Sequence, residues 1–428
     1  MSITEAQVVR PQPGTARAAL AQRDFRVLFT GGFASNVGTW MQNVVLGPFA
    51  YKLSGGSATF AGLVVFAQLG PLLILSIPGG ALANRASRKP YMICAQSEQL
   101  LFALALSFLA TQASPSKTLV VLAVLGGGIG NALVAPVYQA VLPDLVGREN
   151  LAGAVSLNSA QINGSRVIAP ILIAILRITT NITDATFFVI NAATFLFVIV
   201  SLVMLHFPAP PKRTEIKWKD ELLVGIREVQ ANPVARRTLA LLFTMSLVCL
   251  PFVGQFPTVA ERNFGIDSKS TVYAAVYGTW GFGAMLGALS MSTVFAHVDK
   301  RRILRNLFAA FAVMLALFAV IRSPGLAFPV GALLGFFYFG CTTAMMTVLQ
   351  QHLQGHTRGP VMALWFMCFG GTVPFGSMWG GWAMDHGSVT LVLLIGAGTA
   401  VVLAFGADLV GPSRQQHLRE SEQRSRTG

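Results

Sequence analysis

The sequence predicts an all-α integral membrane protein with twelve transmembrane helices in two pseudo-symmetric six-helix halves. Three observations predict this fold: the composition, the number of long apolar runs and the distribution of basic residues. Hydrophobic residues make up 54 % of the 428 residues and charged residues only 11 %, whereas soluble domains carry about 25 % charged residues. A chain with so little charge is expected to fold in a bilayer rather than in water.

The apolar runs are long enough to cross a membrane. A helix needs about 20 apolar residues to span roughly 30 Å of hydrocarbon. The twelve runs of this kind are residues 26–51, 57–83, 90–111, 118–142, 152–177, 185–206, 238–260, 271–295, 303–321, 325–349, 360–384 and 388–411.

The basic residues fix the predicted orientation. With the N-terminus inside, the inner segments hold 24 of the 31 Lys and Arg residues, the outer loops hold six, and Arg166 falls within a span. Such an excess on one side follows the positive-inside rule. We therefore expect both termini in the cytoplasm of a bacterial inner membrane, and the net charge of +14 reflects topology rather than nucleic-acid binding.

The predicted spans divide the chain into two bundles. A basic loop follows the second span of each half, at 84–89 and at 299–305, and repeated halves are typical of secondary transporters with a midplane substrate site. In the linker, Trp218, Leu222 and Ile226 recur at helical spacing and predict an amphipathic helix on the inner membrane surface. The predicted segments are the N-terminal tail 1–24, the N-terminal bundle 25–206, the linker 207–237, the C-terminal bundle 238–411 and the tail 412–428.

The loop after the second span carries a family resemblance. Residues 80–89 read GALANRASRK, which resembles the major facilitator superfamily signature G-x-L-A-D-R-x-G-R-K, with Asn84 in place of Asp and Ser87 in place of Gly. The resemblance covers about residues 23–411. It implies a gating loop between the two halves. The residues that match this role are Gly80, Asn84, Arg85, Arg88 and Lys89.

Further stretches resemble the branch of the superfamily that contains the enterobactin exporter and related drug efflux proteins. They are residues 35–42, 142–149, 157–159 leading to Arg166, 232–236, and 361–365 running to 374–376. The fifth span has Ala169-Pro170 where antiporters usually have Gly-Pro. The resemblance implies proton-driven export of a siderophore or a small amphiphilic drug by alternating access.

Two charged residues lie deep within predicted spans, away from the span ends. Arg166 is about 20 Å along the fifth helix at 1.5 Å per residue, and Glu98 is roughly 12 Å into the third. An intramembrane charge is costly and marks a functional site by default. We interpret Arg166 as an anchor for an anionic substrate or a partner of the proton carrier, and Glu98 as the proton-coupling carboxylate. Structural roles remain open for both: a link to backbone carbonyls for Arg166, and a protonated hydrogen bond between helices for Glu98.

The remaining candidate substrate ligands combine a polar wall with an aromatic one. The superfamily resemblance implies that spans one, four, seven and ten line the cavity, and the fifth span adds a polar stripe that ends at Arg166. The candidates are Asn36, Trp40, Asn43, Asn131, Asn158, Gln161, Gln255, Tyr338 and Thr342. Facing walls of this kind suit an amphiphilic, aromatic or anionic molecule, although aromatic stripes also serve ordinary helix packing.

The expected partners are a small-molecule substrate, protons and the lipid bilayer, and we expect a monomer. No P-loop, metal-ligand spacing or catalytic constellation appears in the sequence, so we expect neither a cofactor nor an enzyme. Two alternatives remain at this stage. One is a lysophospholipid translocator or solute importer of the same fold, and the other is a membrane receptor or assembly factor that transports nothing.

Overall fold

The computed structural model describes residues 12–85, 88–205, 218–353 and 355–407, and these residues form helices without any strand. The helices are α1 Ala16–Ala21, α2 Arg23–Leu53, α3 Ala58–Arg85, α4 Arg88–Thr111, α5 Lys117–Thr179, α6 Asp184–Met204, α7 Trp218–Ala231, α8 Pro233–Thr244, α9 Pro251–Gly254, α10 Phe256–Phe264, α11 Thr271–Ser292, α12 Lys300–Val320, α13 Pro324–Gln351, α14 Gly355–Phe366, α15 Thr372–His386 and α16 Val389–Gly406. Below, α2–α6 are called the N-terminal helices and α8–α16 the C-terminal helices.

Ten segments of the described chain are long and apolar enough to cross a membrane, which confirms the all-α membrane fold. The predicted runs 26–51 and 238–260 are not among them. The first falls on α2, whose hydropathy is lowered by polar side chains such as Asn36 and Gln42. The second is divided among α8, α9 and α10 by a π-helical turn at Met245–Cys249 and by breaks at Leu250 and Gln255.

The fourth and fifth predicted runs correspond to the two helical halves of α5, Lys117–Gly147 and Glu149–Thr179, which meet at Gly147. This glycine has φ 74° and ψ 162°, a conformation that costs residues with a Cβ atom energy. The two predicted runs leave residues 143–151 between them, whereas in the structure the break is confined to this glycine and Asn150 is already helical. The short helix α1 packs against this break, where the Gly14 N–H donates to the Asn150 side chain at 3.2 Å.

The helices approach one another most closely where small residues face a neighbouring backbone. A Cβ atom on Gly283 or Gly287 of α11 would lie within 2.1 Å of a carbonyl oxygen of α13. Small residues of this kind allow close packing of membrane helices, where backbones rather than side chains meet. The linker contains α7, which packs against α14 with Gly225 buried.

Candidate functional site

The N-terminal and C-terminal helices meet along two seams, α3 with α15 and α5 with α11. Arg166 of α5 lies at the second seam. Gly281 of α11 faces it, since a Cβ atom on that glycine would lie 3.3 Å from Arg166 Cγ. The glycine therefore provides the space in which the arginine side chain passes between the two groups of helices.

Aromatic rings from both groups of helices contact the Arg166 guanidinium. Its central carbon lies 4.6 Å from the ring centroid of Trp40 of α2 and 4.5 Å from that of Phe339 of α13. Cation–π contacts at such distances are worth about 0.5–2 kcal/mol each, the upper end applying when water is excluded. Two of its nitrogens, Nε and Nη1, are buried without a hydrogen-bond partner in the described part of the chain. The two rings thus contact the faces of the guanidinium, while the N–H groups of Nε and Nη1 at its edge have no hydrogen-bond partner among the described residues.

The polar stripe that precedes Arg166 is buried. Asn158, Gln161 and Ser165 are at most 6 % exposed. Gln161 lies near Gly32 of α2 and the Tyr138 hydroxyl, and the Asn36 amide donates to the Gly32 carbonyl at 3.0 Å. The structure therefore brings Gln161 and Arg166 of α5 to α2 beside Asn36 and Trp40. Asn158 is buried on the same helix as Arg166.

On the C-terminal side, Tyr338 is next to Phe339 and stacks on Trp280 with the ring centroids 6.3 Å apart. Its hydroxyl interacts electrostatically with Arg166. Thr342 is one turn further along, and its hydroxyl donates to the Tyr338 carbonyl at 3.0 Å, so it is occupied within its own helix. This wall is a packed aromatic cluster in which Tyr277 also lies close to Arg166.

Three predicted residues lie elsewhere. The Gln255 side chain is fully buried and donates to the carbonyls of Ala58 and Ser377, both at 2.9 Å. Asn43 and Asn131 line a cavity enclosed by the N-terminal helices. In the described part of the chain, neither the hydrogen bonds of Gln255 nor the cavity lined by Asn43 and Asn131 includes Arg166.

Glu98 of α4 is half-buried and faces α5, where a Cβ atom on Gly130 would lie 1.8 Å from its Oε2 atom. That oxygen is buried and has no hydrogen-bond partner among the described residues. The carboxyl group is therefore packed between two helices beside the cavity that Asn131 lines.

The signature loop is described only in part. The surroundings of Gly80 and the side chains of Asn84 and Arg85 lie outside the described part of the chain. Arg88 forms an ion pair with Asp144 of α5. Lys89 donates to the Val203 and Leu205 carbonyls at 2.7 and 2.9 Å. The two described basic residues of the loop thus bind the ends of N-terminal helices.

Sequence analysis did not identify the polar network that joins the two groups of helices at the end where α3 begins. We call this end of the bundle the Asp385 end and the opposite end, which holds α7, the linker end. Asp385 of α15 accepts hydrogen bonds from the Ala58 and Thr59 N–H groups and the Ser57 and Thr59 hydroxyls, at 2.7–3.0 Å. Arg262 of α10 donates to the same carboxylate at 2.6 Å and to the Gly56 carbonyl at 2.7 Å. The carboxylate therefore caps α3 from the other side of the seam.

Further ion pairs cross the seam at the Asp385 end. Lys52 of α2 lies 2.7 Å from Glu261 and 3.5 Å from Asp267, and Lys269 lies 2.6 Å from Asp184 of α6. The backbone N–H of Lys269 and the nearby Lys52 ammonium lower the pKa of the Asp267 carboxyl below 3.8. These pairs join the two groups of helices at this end of the molecule.

Comparison with known proteins assigns the family. Residues 14–426 match the model of the transmembrane secretion effectors, a group of the major facilitator superfamily. The chain belongs to this family. Its relatives include the staphyloferrin A transporter of Staphylococcus aureus, 23 % identical over 82 % of this chain and 87 % of the relative. The enterobactin exporter of Escherichia coli is 26 % identical over 80 % of each chain.

Solved structures of the superfamily share the fold. A nucleoside transporter superposes with a TM-score of 0.69 at 13 % identity, over 89 % of this chain and 97 % of the transporter. A POT-family transporter, PepTSo, gives 0.69 at 13 % identity, over 92 % of this chain and 99 % of its own. The shared fold agrees with the family match and with the apolar helices, which together make the protein a multi-pass membrane transporter.

Proposed function

We propose that the protein exports a siderophore or a similar amphiphilic anion by alternating access, driven by proton entry. The observation that carries the proposal is the Arg166 guanidinium, which lies at the seam between the two groups of helices with two N–H donors unpartnered. A buried cation of this kind is costly unless a partner completes it. The substrate supplies that partner.

The geometry favours a particular substrate chemistry. Because Trp40 and Phe339 contact the guanidinium, acceptor atoms approach the N–H groups at its edge. Carboxylates and adjacent oxygen pairs accept two parallel hydrogen bonds from such a donor fork. The aromatic side chains around it favour an apolar or aromatic body on the same molecule. Siderophores combine both features, and the relatives named for enterobactin and staphyloferrin A support this class.

The topology of the proposal follows from the positive-inside rule. We assign twelve spans, with α2 and the broken segment α8–α10 as the first and seventh, in bundles at 25–206 and 238–411. The Asp385 end then lies outside and the linker end, with both termini, lies in the cytoplasm. The polar network at the Asp385 end supports an inward-facing state that is ready to load substrate from the cytoplasm, with the loop at 80–89 as the inner gate.

The experiment measures uptake of iron-free enterobactin and of staphyloferrin A into inside-out vesicles from cells that express the full chain. An imposed proton gradient should drive accumulation of at least one of the two in wild-type vesicles. We expect Arg166→Ala to abolish it and Arg166→Lys, which keeps the charge but not the fork, to reduce it strongly. Arg23→Ala is the matched control, because Arg23 is 63 % exposed. Wild-type accumulation by Arg166→Ala at equal protein level would refute the assignment.

A further inference from the structure

A cavity of about 80 Å³ lies inside the N-terminal helices, between α2, α3, α4, α5 and α6. Its lining includes six amide side chains and one hydroxyl, an unusual concentration of polar groups for the interior of membrane helices, where each polar group is costly. One water molecule occupies about 30 Å³ in the liquid. The cavity is therefore large enough for a few water molecules and too small for a siderophore.

The amides around the cavity are partly paired with one another. Gln68 of α3 donates to Asn43 of α2 at 2.6 Å, and Asn191 of α6 donates to Gln42 of α2 at 2.8 Å. These bonds join three helices, α2, α3 and α6, around the cavity. Amide groups carry two donors and an acceptor with two lone pairs, so single bonds of this kind leave further donors and acceptors for water.

The cavity extends from an exposed residue to a buried one. Asn131 of α5 is exposed, whereas Gln99 of α4 is only 8 % exposed. Glu98 precedes Gln99, and its buried, unpartnered Oε2 atom lies against Gly130, which precedes Asn131. The Glu98 carboxyl group thus lies beside the cavity, where α4 contacts α5. These two helices carry the buried lining residue Gln99 and the exposed lining residue Asn131.

The groups that the packed helices present to the cavity are neutral. The polar lining is Thr39, Gln42 and Asn43 of α2, Gln68 of α3, Gln99 of α4, Asn131 of α5 and Asn191 of α6, and apolar residues complete it. No charged side chain in the described ranges interacts with Glu98. Among the described groups around the cavity, Glu98 is therefore the one whose charge changes with proton binding.

We propose that this cavity holds water and that protons reach Glu98 through it, which makes the N-terminal helices a proton-binding unit separate from the Arg166 site. The inference rests on the proposed function only in treating this proton as the coupling ion. Proton binding itself does not depend on which substrate is exported. The carboxylate gains a proton where Gly130 leaves space for it, and water in the cavity replaces the hydrogen-bond partners that the helices do not supply.

The first test labels the purified full-length protein with dicyclohexylcarbodiimide, which reacts with protonated carboxyl groups in apolar surroundings, and locates the adduct by mass spectrometry. We expect an adduct on Glu98 that falls about tenfold per pH unit once the group loses its proton, and that is absent from Glu98→Gln. Gly130→Ala displaces the carboxyl and should lower labelling several-fold. Gly398→Ala, where the added methyl meets nothing within 4 Å, should label like wild type.

The second test maps water by hydroxyl-radical footprinting in ¹⁸O-labelled water. Phe102 and Leu106 line the cavity, and we expect both to take up ¹⁸O from water bound there. No adduct on Glu98 at any pH, or unlabelled Phe102 and Leu106 while exposed side chains are oxidised, would overturn the inference. Positive results in both tests without siderophore accumulation in vesicles would instead refute the proposed substrate and leave the proton site standing.

Discussion

Replacing Asp385 by alanine should open the Asp385 end of the molecule. The carboxylate caps α3 through the Ala58 and Thr59 N–H groups, and loss of a helix cap costs about 0.5–2 kcal/mol. The ion pair with Arg262, whose partners are 32 % and 17 % exposed, adds about 1 kcal/mol or less after solvent screening. The two contributions together amount to about 0.5–3 kcal/mol. At 1.4 kcal/mol per factor of ten, the closed state should lose roughly 2- to 150-fold in population relative to the open one.

Pulsed electron paramagnetic resonance can measure this shift. Spin labels at Asn181→Cys and Ser323→Cys lie in exposed turns at the Asp385 end, one on each side of the seam. The background replaces the four native cysteines by alanine. We expect one short distance in the parent protein and an additional, longer distance in Asp385→Ala. Asp385→Asn keeps an acceptor for the cap and should show a smaller long-distance fraction.

Asp299→Ala provides the matched control. Asp299 caps α12 and pairs with Arg301 at 2.8 Å, so its loss removes the same kinds of contact without crossing the seam. The label distances in this variant should equal those of the parent. Unchanged distances in Asp385→Ala, or an equal shift in Asp299→Ala, would show that capping across the seam does not hold the end closed.

Two further predictions concern the seam and its charges. Phe339→Leu and Trp40→Leu each remove one cation–π contact, worth about 0.5–2 kcal/mol. Each should weaken substrate binding roughly 2- to 30-fold in a titration of purified protein. An unchanged affinity in both variants would show that the two rings do not contribute to the substrate site. For Asp267 the pKa is lowered by its contacts, so its contribution to closure is complete above its ordinary titration range and is lost as the pH falls through the lowered value. The longer spin-label distance should therefore grow on acidification, and Asp267→Asn should show it already at neutral pH; a pH response that persists unchanged in this variant would point to another group.

The sequence was sufficient to predict the helical membrane fold, because apolar length and basic asymmetry depend only on local composition. Arg166 could be singled out for the same reason, as the one basic residue far from the ends of a predicted span. Its aromatic partner in the C-terminal helices was harder to predict. Tyr338 and Phe339 are neighbours in sequence, and successive helical residues point about 100° apart, so a small rotation of α13 decides which ring covers the guanidinium.

The rest depended on contacts between distant segments. Asn43 shares a helical face with Trp40 in the sequence pattern, yet its side chain pairs with Gln68 of the next helix. Asp385 is an ordinary acidic residue near a predicted span end, and its partners Ser57 and Thr59 precede it by more than 320 positions. No local pattern in one sequence identifies such a pair. The two breaks in the seventh predicted span, by contrast, coincide with local signals, since Pro251 and Pro257 lie in the first turns of α9 and α10.

The cap on α3 also sets an order of events during synthesis. Residues 57–59 leave the ribosome early, whereas the carboxylate that receives their N–H groups is added after nearly nine-tenths of the chain. Until then the first turn of α3 has only the Ser57 hydroxyl, which accepts from the Phe60 N–H at 3.2 Å, and interfacial water. A protein truncated before residue 385 therefore lacks the carboxylate that caps the first turn of α3. The contacts of Asp385 across the seam can form only after α15 has been made, with α16 still to follow.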